Sequence, residues 1–177
     1  MRKLRIEELN RINVEQFKNI AKIPLVIVLD NIRSHHNTGA VFRTADAFLI
    51  ERLLLCGITG SPPHRDIYKT ALGACESVEW KYYESTLVAV KELKQNNYVL
   101  LALEQAEGSI PLSSFQAYPH LKYALIIGHE VRGVQQEVLD LCDMCLEIPQ
   151  HGTKHSLNVS VSTSIAIWEL TNKLSKA

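Results

Sequence analysis

Short apolar runs that alternate with helix-like periodicity are the feature that most constrains this chain. The runs Leu25–Leu29 and Tyr123–Ile127 are continuous and rich in branched side chains, which is typical of strands buried on both faces. Between such runs, apolar residues recur at helical spacing, as at Val41, Ala45 and Phe48. No Gly/Ser-rich linker, charge block or internal repeat interrupts the pattern. We therefore predict one α/β domain with a mostly parallel sheet.

The same pattern predicts where the remaining elements lie. Residues 1–22 are expected to form a basic, amphipathic helical extension, with Ile6, Leu9, Phe17 and Ile20 on its apolar stripe, and residues 23–177 to form the domain. A helix capped by Asn37 is expected to follow the first strand. The other predicted strands are 52–56, 78–82, 98–103 and 144–148, and the other predicted helices lie near 66–74, 85–96, 134–142 and 156–174. The last helix carries an apolar series at helical spacing, formed by Leu157, Val161, Ile165 and Trp168.

Four loops follow predicted strands at their carboxyl ends, where parallel sheets bind ligands. They are 30–39, 103–112, 128–133 and 149–156. In the first of these loops, Asn37, Gly39 and Arg43 at a helix start would suit an anionic group, because free amides and the helix dipole favour negative charge. A plain capped helix with Arg43 paired to Asp46 is equally open at this point.

The two later loops admit similar alternatives. The glycines of Gly128–Gly133 either admit a ligand or only make the turn. Ser156 is placed to cap the last helix, whereas Asn158 in a first helical turn is harder to explain by propensity. The GxGxxG fingerprint and the Walker A lysine motif are missing from the sequence, which disfavours a nicotinamide, flavin or P-loop enzyme.

Cysteine and histidine spacing gives little support for a metal. Cys142 and Cys145 have CxxC spacing, but no second pair lies at a finger-like distance. His151 and His155 flank Gly152 in a predicted loop, and HExxH is missing. We expect no metal.

Charge and hydropathy limit the partners. Equal numbers of basic and acidic residues, 19 of each, argue against indiscriminate nucleic-acid binding. Residues 1–24 hold six basic and three acidic side chains, so this arm either touches a polyanion or is a solvated helix.

Four cysteines and a charged start without a signal peptide predict the cytoplasm. No apolar run approaches the ~20 residues of a membrane span.

Three segments together resemble the three motifs of the SpoU family of RNA 2′-O-ribose methyltransferases, within the SPOUT superfamily. The first is Asn37-Thr-Gly-Ala-Val-Phe-Arg43, continued to Phe48. The second is Gly128-His-Glu130-Val-Arg-Gly133, together with the predicted strand before it. The third runs from Ile148 to Val161 and contains Ser156-Leu-Asn158. The order of the three segments, the spacing between them and the identity of their residues all agree with the family's motifs, and the resemblance covers about residues 25–170. The departures are Leu49 and Val131, which stand where many relatives have Gly.

The resemblance implies an α/β fold with a deep trefoil knot at its carboxyl end, a homodimer, and S-adenosylmethionine as cofactor. Sequence rules alone would argue against a knot. By position, the residues implied to bind the cofactor are Leu103, Glu104, Gly128, Ile148, Ser156 and Leu157.

The implied reaction is methyl transfer to a ribose 2′-oxygen. Arg43 matches the family's catalytic arginine; a guanidinium is a poor base, because it titrates above about pH 12. We therefore expect Arg43 to clamp a phosphate and stabilise developing oxyanion charge, with a phosphate oxygen or water taking the proton. Asn37 would orient both the ribose and the Arg43 side chain. Glu130 would hold a polar partner in place, and Ser156 and Asn158 would contact the nucleotide and the cofactor.

No separate RNA-binding domain is expected, so the RNA would be held by the basic arm, the loop around His64, Arg65 and Lys69, and the dimer partner. This favours a compact RNA such as tRNA, with ribosomal RNA next. Two alternatives stay open. One is a non-catalytic RNA-binding or assembly protein on the same scaffold, and the other is an unrelated small-molecule enzyme that uses the helix-start anion site.

Overall fold

A computed structural model describes residues 1–175 of the 177. Its strands are β1 (Ile23–Asp30), β2 (Ile50–Cys56), β3 (Trp80–Tyr83), β4 (Tyr98–Leu103), β5 (Ile110–Pro111), β6 (Lys122–Ile127) and β7 (Met144–Glu147). They form one seven-stranded sheet in the order β3-β2-β1-β6-β4-β7-β5, and all its strand pairs are parallel. The helices are α1 (Val14–Asn19), α2 (His35–Ala47), α3 (Arg65–Ala71), α4 (Ala74–Ser77), α5 (Thr86–Gln95), α6 (Gln136–Leu139) and α7 (Val159–Ser175), with 3₁₀ turns at Ile6–Leu9 and Leu112–Ser114.

The apolar runs form strands because both faces of the sheet are covered. Leu25, Ile27 and Leu29 of β1 belong to one apolar cluster, together with residues of α2 and α7. Val26 and Val28 point the other way into a second cluster, together with residues of α5. Each buried side chain of this kind contributes about 1.5–3 kcal/mol. The predicted α/β fold is confirmed. The two-residue strand β5 was not predicted, and the knot stays a prediction.

The amino-terminal extension is not the single amphipathic helix that the sequence predicts. A 3₁₀ turn ends at Asn10, which has a left-handed φ of 48°. Asn13 then starts α1, because its side chain accepts a hydrogen bond from Gln16 N at 2.8 Å. Phe17 is buried, while Leu9 and Ile20 are exposed. The two asparagines take turn and cap conformations, so the predicted apolar stripe is not continuous.

Other boundaries also differ from the prediction. The helix predicted near 66–74 is divided between α3 and α4, because Leu72 and Gly73 both have positive φ. The helix predicted near 134–142 is limited to α6. Ser34, not Asn37, caps α2: its hydroxyl accepts from Asn37 N at 3.3 Å. Asn37 therefore lies inside the first turn, with its side chain free to contact other loops.

The last helix starts three residues later than predicted, and its apolar series faces outward. Leu157 precedes α7, and Val161, Ile165 and Trp168 are exposed along it, Trp168 by 55%. The buried face of α7 consists of Val159, Thr163, Ala166, Ile167, Leu170 and Leu174. Small side chains bring α7 close to α2, and Thr44 Oγ1 lies 2.9 Å from Ser164 Oγ. Among the described residues, no helix has the length and hydropathy needed to cross a membrane.

Candidate functional site

A cavity of about 540 Å³ lies at the carboxyl ends of β4, β6 and β7. Its wall is formed by the loops that follow these strands and by the segment that leads into α7. All of the residues predicted to bind a cofactor line it: Leu103, Glu104, Gly128, Ile148, Ser156 and Leu157. The parallel sheet thus brings together residues from three separate parts of the sequence.

Gly128 is required by close backbone packing in the cavity wall. A Cβ at this position would lie 2.1 Å from both Gly133 C and Val134 N, so any side chain would force the loop outward. His129 and Gly133 exchange two backbone hydrogen bonds of 3.1 and 2.8 Å, which close the loop. Glu104 Oε2 accepts from Val134 N at 3.0 Å and fixes the far end of the loop to β4.

Glu130 fastens this loop to the start of α2. Its carboxylate accepts hydrogen bonds of 3.0 Å from both Arg33 N and Ser34 N, and of 3.2 Å from Asn37 Nδ2. Burial raises the pKa of Glu130, but these hydrogen bonds, together with its own backbone amide, outweigh burial and lower that pKa below its ordinary value. Glu130 is therefore ionised at neutral pH and positions Asn37.

Asn158 completes a link between the three predicted motifs. Its Nδ2 donates to Asn37 Oδ1 at 3.3 Å. Its Oδ1 accepts from Ser160 N at 2.9 Å, which caps α7 and explains an Asn at this position. Ser156, predicted as that cap, lies instead on the cavity wall, three residues before the helix. The three motifs thus meet through Glu130, Asn37 and Asn158.

Arg43 lies outside the cavity, on the exposed side of α2. It is six residues from Asn37, about 9 Å along the helix axis. Within residues 1–175, its guanidinium has neither a hydrogen bond nor an ion pair, so the alternative that pairs it with Asp46 is wrong. Asp46 accepts a hydrogen bond from Ser77 Oγ instead.

Two side chains near the site were not predicted from the sequence. Asp30, fully buried at the end of β1, accepts from Thr86 Oγ1 at 2.6 Å and from Gln135 N at 2.9 Å. It therefore holds the end of the 128–135 loop against the sheet. His129 Nδ1 accepts from Val131 N at 3.0 Å, which leaves Nε2 to carry the ring proton. The only sequence signal for either residue was its polar side chain at or just beyond the end of an apolar run.

A cluster of His35, His64 and Asp66 lies at the starts of α2 and α3, with side-chain atoms close enough to share an ion. The two imidazole rings are stacked, with centroids 3.7 Å apart and planes 14° from parallel. Because ring lone pairs lie in the ring plane, such rings do not point at a common ion. His64 Nδ1 also accepts from Asp66 N at 3.2 Å. The expectation of no metal stays a prediction.

A parallel α/β sheet with a glycine-lined cavity at its strand ends defines a ligand-binding protein of the α/β class. The chain belongs to the SpoU rRNA Methylase family, whose model matches residues 24–168. It is 28% identical over 161 residues to the 23S rRNA (guanosine-2′-O-)-methyltransferase RlmB of Neisseria meningitidis, covering 90% of this chain and 63% of that protein. The chain thus spans less than two thirds of the length of this curated relative.

Solved structures share the fold. An AdoMet-bound rRNA methyltransferase from Sinorhizobium meliloti aligns with a TM-score of 0.81 at 24% identity, over 89% of this chain and 60% of that one. The TrmH/SpoU tRNA modifying enzyme of A. aeolicus aligns with a TM-score of 0.81 at 22% identity, over 92% of this chain and 83% of that one. The family predicted from the three motifs is confirmed.

Proposed function

We propose that this chain is an S-adenosylmethionine-dependent RNA methyltransferase that modifies a ribose 2′-hydroxyl. The observation that carries the proposal is the network Glu130–Asn37–Asn158, which joins all three motif segments at the edge of the cavity. Family membership supports methyl transfer, and the name of the Neisseria relative specifies a guanosine 2′-oxygen.

The cavity fits the proposed cofactor. Its volume of about 540 Å³ is in the usual range for small-molecule sites. Gly128 lets the loop pack closely on itself in the cavity wall, and Leu103, Ile148 and Leu157 add apolar surface. S-adenosylmethionine, when bound, supplies an electrophilic methyl group on a sulfonium. Backbone groups of these residues would hold the adenine, and Ser156 would contact the nucleotide and cofactor.

Arg43 is proposed to act on the RNA. An unpaired guanidinium offers parallel N–H donors that match a phosphate, and its charge stabilises a developing ribose oxyanion. Asn37, fixed by Glu130 and Asn158, would orient the ribose, whereas Arg43 lies about 9 Å further along the helix axis and forms no hydrogen bond with Asn37. The ribose proton would pass to a phosphate oxygen or water, because a guanidinium does not accept it.

A homodimer is also proposed. Val161, Ile165 and Trp168 form an exposed apolar stripe along α7 that a second copy of the chain would cover. Leu157 stands near the beginning of the stripe and also lines the cavity. A partner seated on the stripe would therefore border the cofactor site.

The proposed substrate is a compact RNA, with tRNA favoured over rRNA. Arg65 and Lys69 are exposed on α3, which packs closely on α2 because Gly39 has no side chain: a Cβ there would lie 2.3 Å from Ile67 O. These two cations and Arg43 would contact a small number of phosphates. The salt dependence of binding would accordingly be shallow. A cytoplasmic reaction is proposed on the basis of the RNA substrate.

The test is methyl transfer from labelled S-adenosylmethionine to separate tRNA and rRNA pools, with Arg43→Ala beside the wild type. We expect label in the tRNA pool and a loss of roughly a hundredfold or more in the variant, with cofactor affinity unchanged. No cofactor binding by the wild type would contradict the proposal and favour the non-catalytic scaffold.

A further inference from the structure

The wall of the cavity is acidic. Glu104, Glu130 and Glu147 line it, and no Lys or Arg does so in the part of the chain that the structure describes. His129 and His155 are the other ionisable side chains on the wall. A ligand that carries positive charge is therefore favoured there over a neutral one of the same shape.

The three carboxylates differ in what already binds them. Glu130 accepts from three N–H groups, and Glu104 accepts from Gln105 N at 2.9 Å and Val134 N at 3.0 Å. Glu147 accepts only from Ser109 Oγ, at 2.9 Å on Oε2, so within residues 1–175 its Oε1 has no donor. Among the same residues, no cation forms an ion pair with Glu104 or Glu147.

Glu104 and Glu147 also stand side by side. Leu103 and Leu146 are register partners on the adjacent parallel strands β4 and β7, and each glutamate directly follows one of them. Burial raises the pKa of the Cys145 thiol, and the charges of Glu104 and Glu147 raise that pKa further. The two carboxylates thus lie at the ends of neighbouring strands, and both line the cavity.

We infer that this pair, and Glu147 above all, makes the cavity prefer the sulfonium form of the cofactor to its demethylated product. The inference rests on the proposed function. In the transfer, the S–CH₃ bond breaks and the O–CH₃ bond forms, the sulfur keeps the electron pair, and the ribose proton leaves to a phosphate oxygen or water. The product S-adenosylhomocysteine therefore carries one positive charge fewer than S-adenosylmethionine. The attraction of Glu147 for the ligand weakens at that moment, which favours product release.

The test is calorimetric binding of S-adenosylmethionine and S-adenosylhomocysteine to the wild type and to Glu147→Gln. The amide retains an acceptor for Ser109, so only the charge is removed. We expect the variant to bind S-adenosylmethionine about fivefold more weakly while its affinity for S-adenosylhomocysteine changes by less than about twofold. Glu107→Gln, an exposed glutamate outside the cavity, is the control and should change neither affinity.

Equal weakening of both ligands, or no change in either, would overturn the inference while leaving the proposed function intact. A wild type that binds neither ligand would overturn the proposed function and the inference with it. A thermal unfolding midpoint of Glu147→Gln within about 2 °C of the wild-type midpoint would show that the variant is folded, so that the affinities of two folded proteins are compared.

Discussion

Asn158 Nδ2 donates a hydrogen bond to Asn37 Oδ1 at 3.3 Å, although the two residues lie 121 positions apart in the sequence. The same Asn37 side chain donates through Nδ2 to Glu130. Because an amide can both donate and accept, Asn37 is held from two sides in one orientation. This contact ties the start of α2 to the start of α7, beside the cavity.

Replacing Asn158 by Asp separates its two roles. Asp retains the oxygen that caps α7 but lacks the donor to Asn37. We expect unfolding free energy within about 0.5 kcal/mol of the wild type, with methyl transfer reduced by roughly tenfold or more. Asn158→Ala should lose both the activity and about 1 kcal/mol of stability. Unchanged cofactor affinity and turnover in Asn158→Ala would show that this residue is only a cap.

Glu130→Gln should destabilise the protein in a pH-dependent way. The pKa of Glu130 is lower in the folded state than its unfolded-state value, which is near 4.5. The carboxylate therefore stabilises the fold fully at pH values above the unfolded-state pKa, and this contribution is lost as the pH falls through the folded-state pKa. We expect the variant to be about 1–3 kcal/mol less stable at pH 7, because Gln leaves an N–H without an acceptor. Denaturant unfolding from pH 7 to pH 3 should show the difference narrowing below about pH 4.5. Glu137→Gln, exposed on α6, is the control, and a difference that stays constant with pH would contradict this account.

Gly128→Ala should damage both the fold and the cavity. The added methyl group would meet the backbone of Gly133 and Val134 at 2.1 Å, which cannot move without opening the loop. We expect a loss of about 1–3 kcal/mol in stability, and weaker cofactor binding. Gly152→Ala is the matched control, since nothing lies within 4 Å of its Cβ position. Equal effects of the two substitutions would rule out this packing argument.

Arg43→Lys should lose most of the activity despite keeping the charge. Lys offers a point charge in place of the paired donors that match a phosphate. Because Arg43 is exposed and forms no ion pair among residues 1–175, its replacement should leave the melting temperature within about 2 °C of the wild-type value. Single-turnover methyl transfer and thermal unfolding measure the two effects. Near-full activity of Arg43→Lys would refute the phosphate clamp.

Trp168→Glu should dissociate the proposed dimer. Trp168 is 55% exposed in the apolar stripe of α7, and a carboxylate there would be buried without a partner in a dimer. Sedimentation should show a dimer for the wild type and a monomer for the variant. Val88→Glu changes an equally exposed residue of α5 and should remain dimeric. A monomeric wild type would show that the stripe has another role.

The fold could be predicted because strands covered on both faces leave continuous apolar runs, such as Leu25–Leu29. The motif residues Asn37, Glu130 and Asn158 could be singled out by their residue type. Their mutual hydrogen bonds could not be predicted, because these depend on long-range packing. The outward face of α7 was missed because small residues as well as apolar ones can pack a helix on a core.

Asp30 shows a different limit of the sequence. Its partners Thr86 and Gln135 lie 56 and 105 positions away, so no local pattern connects them. A knot would likewise be a property of the chain's path rather than of local periodicity, so no local pattern predicts it.

The central claim is ribose methylation, and the most direct measurement locates the transferred methyl group. RNA labelled by the wild-type protein with S-adenosylmethionine would be digested to nucleosides and separated. We predict the label in a single 2′-O-methylnucleoside from the tRNA pool, and roughly a hundredfold less label or lower with Arg43→Ala. Label on a base in place of the ribose, or equal labelling by the variant, would contradict the account.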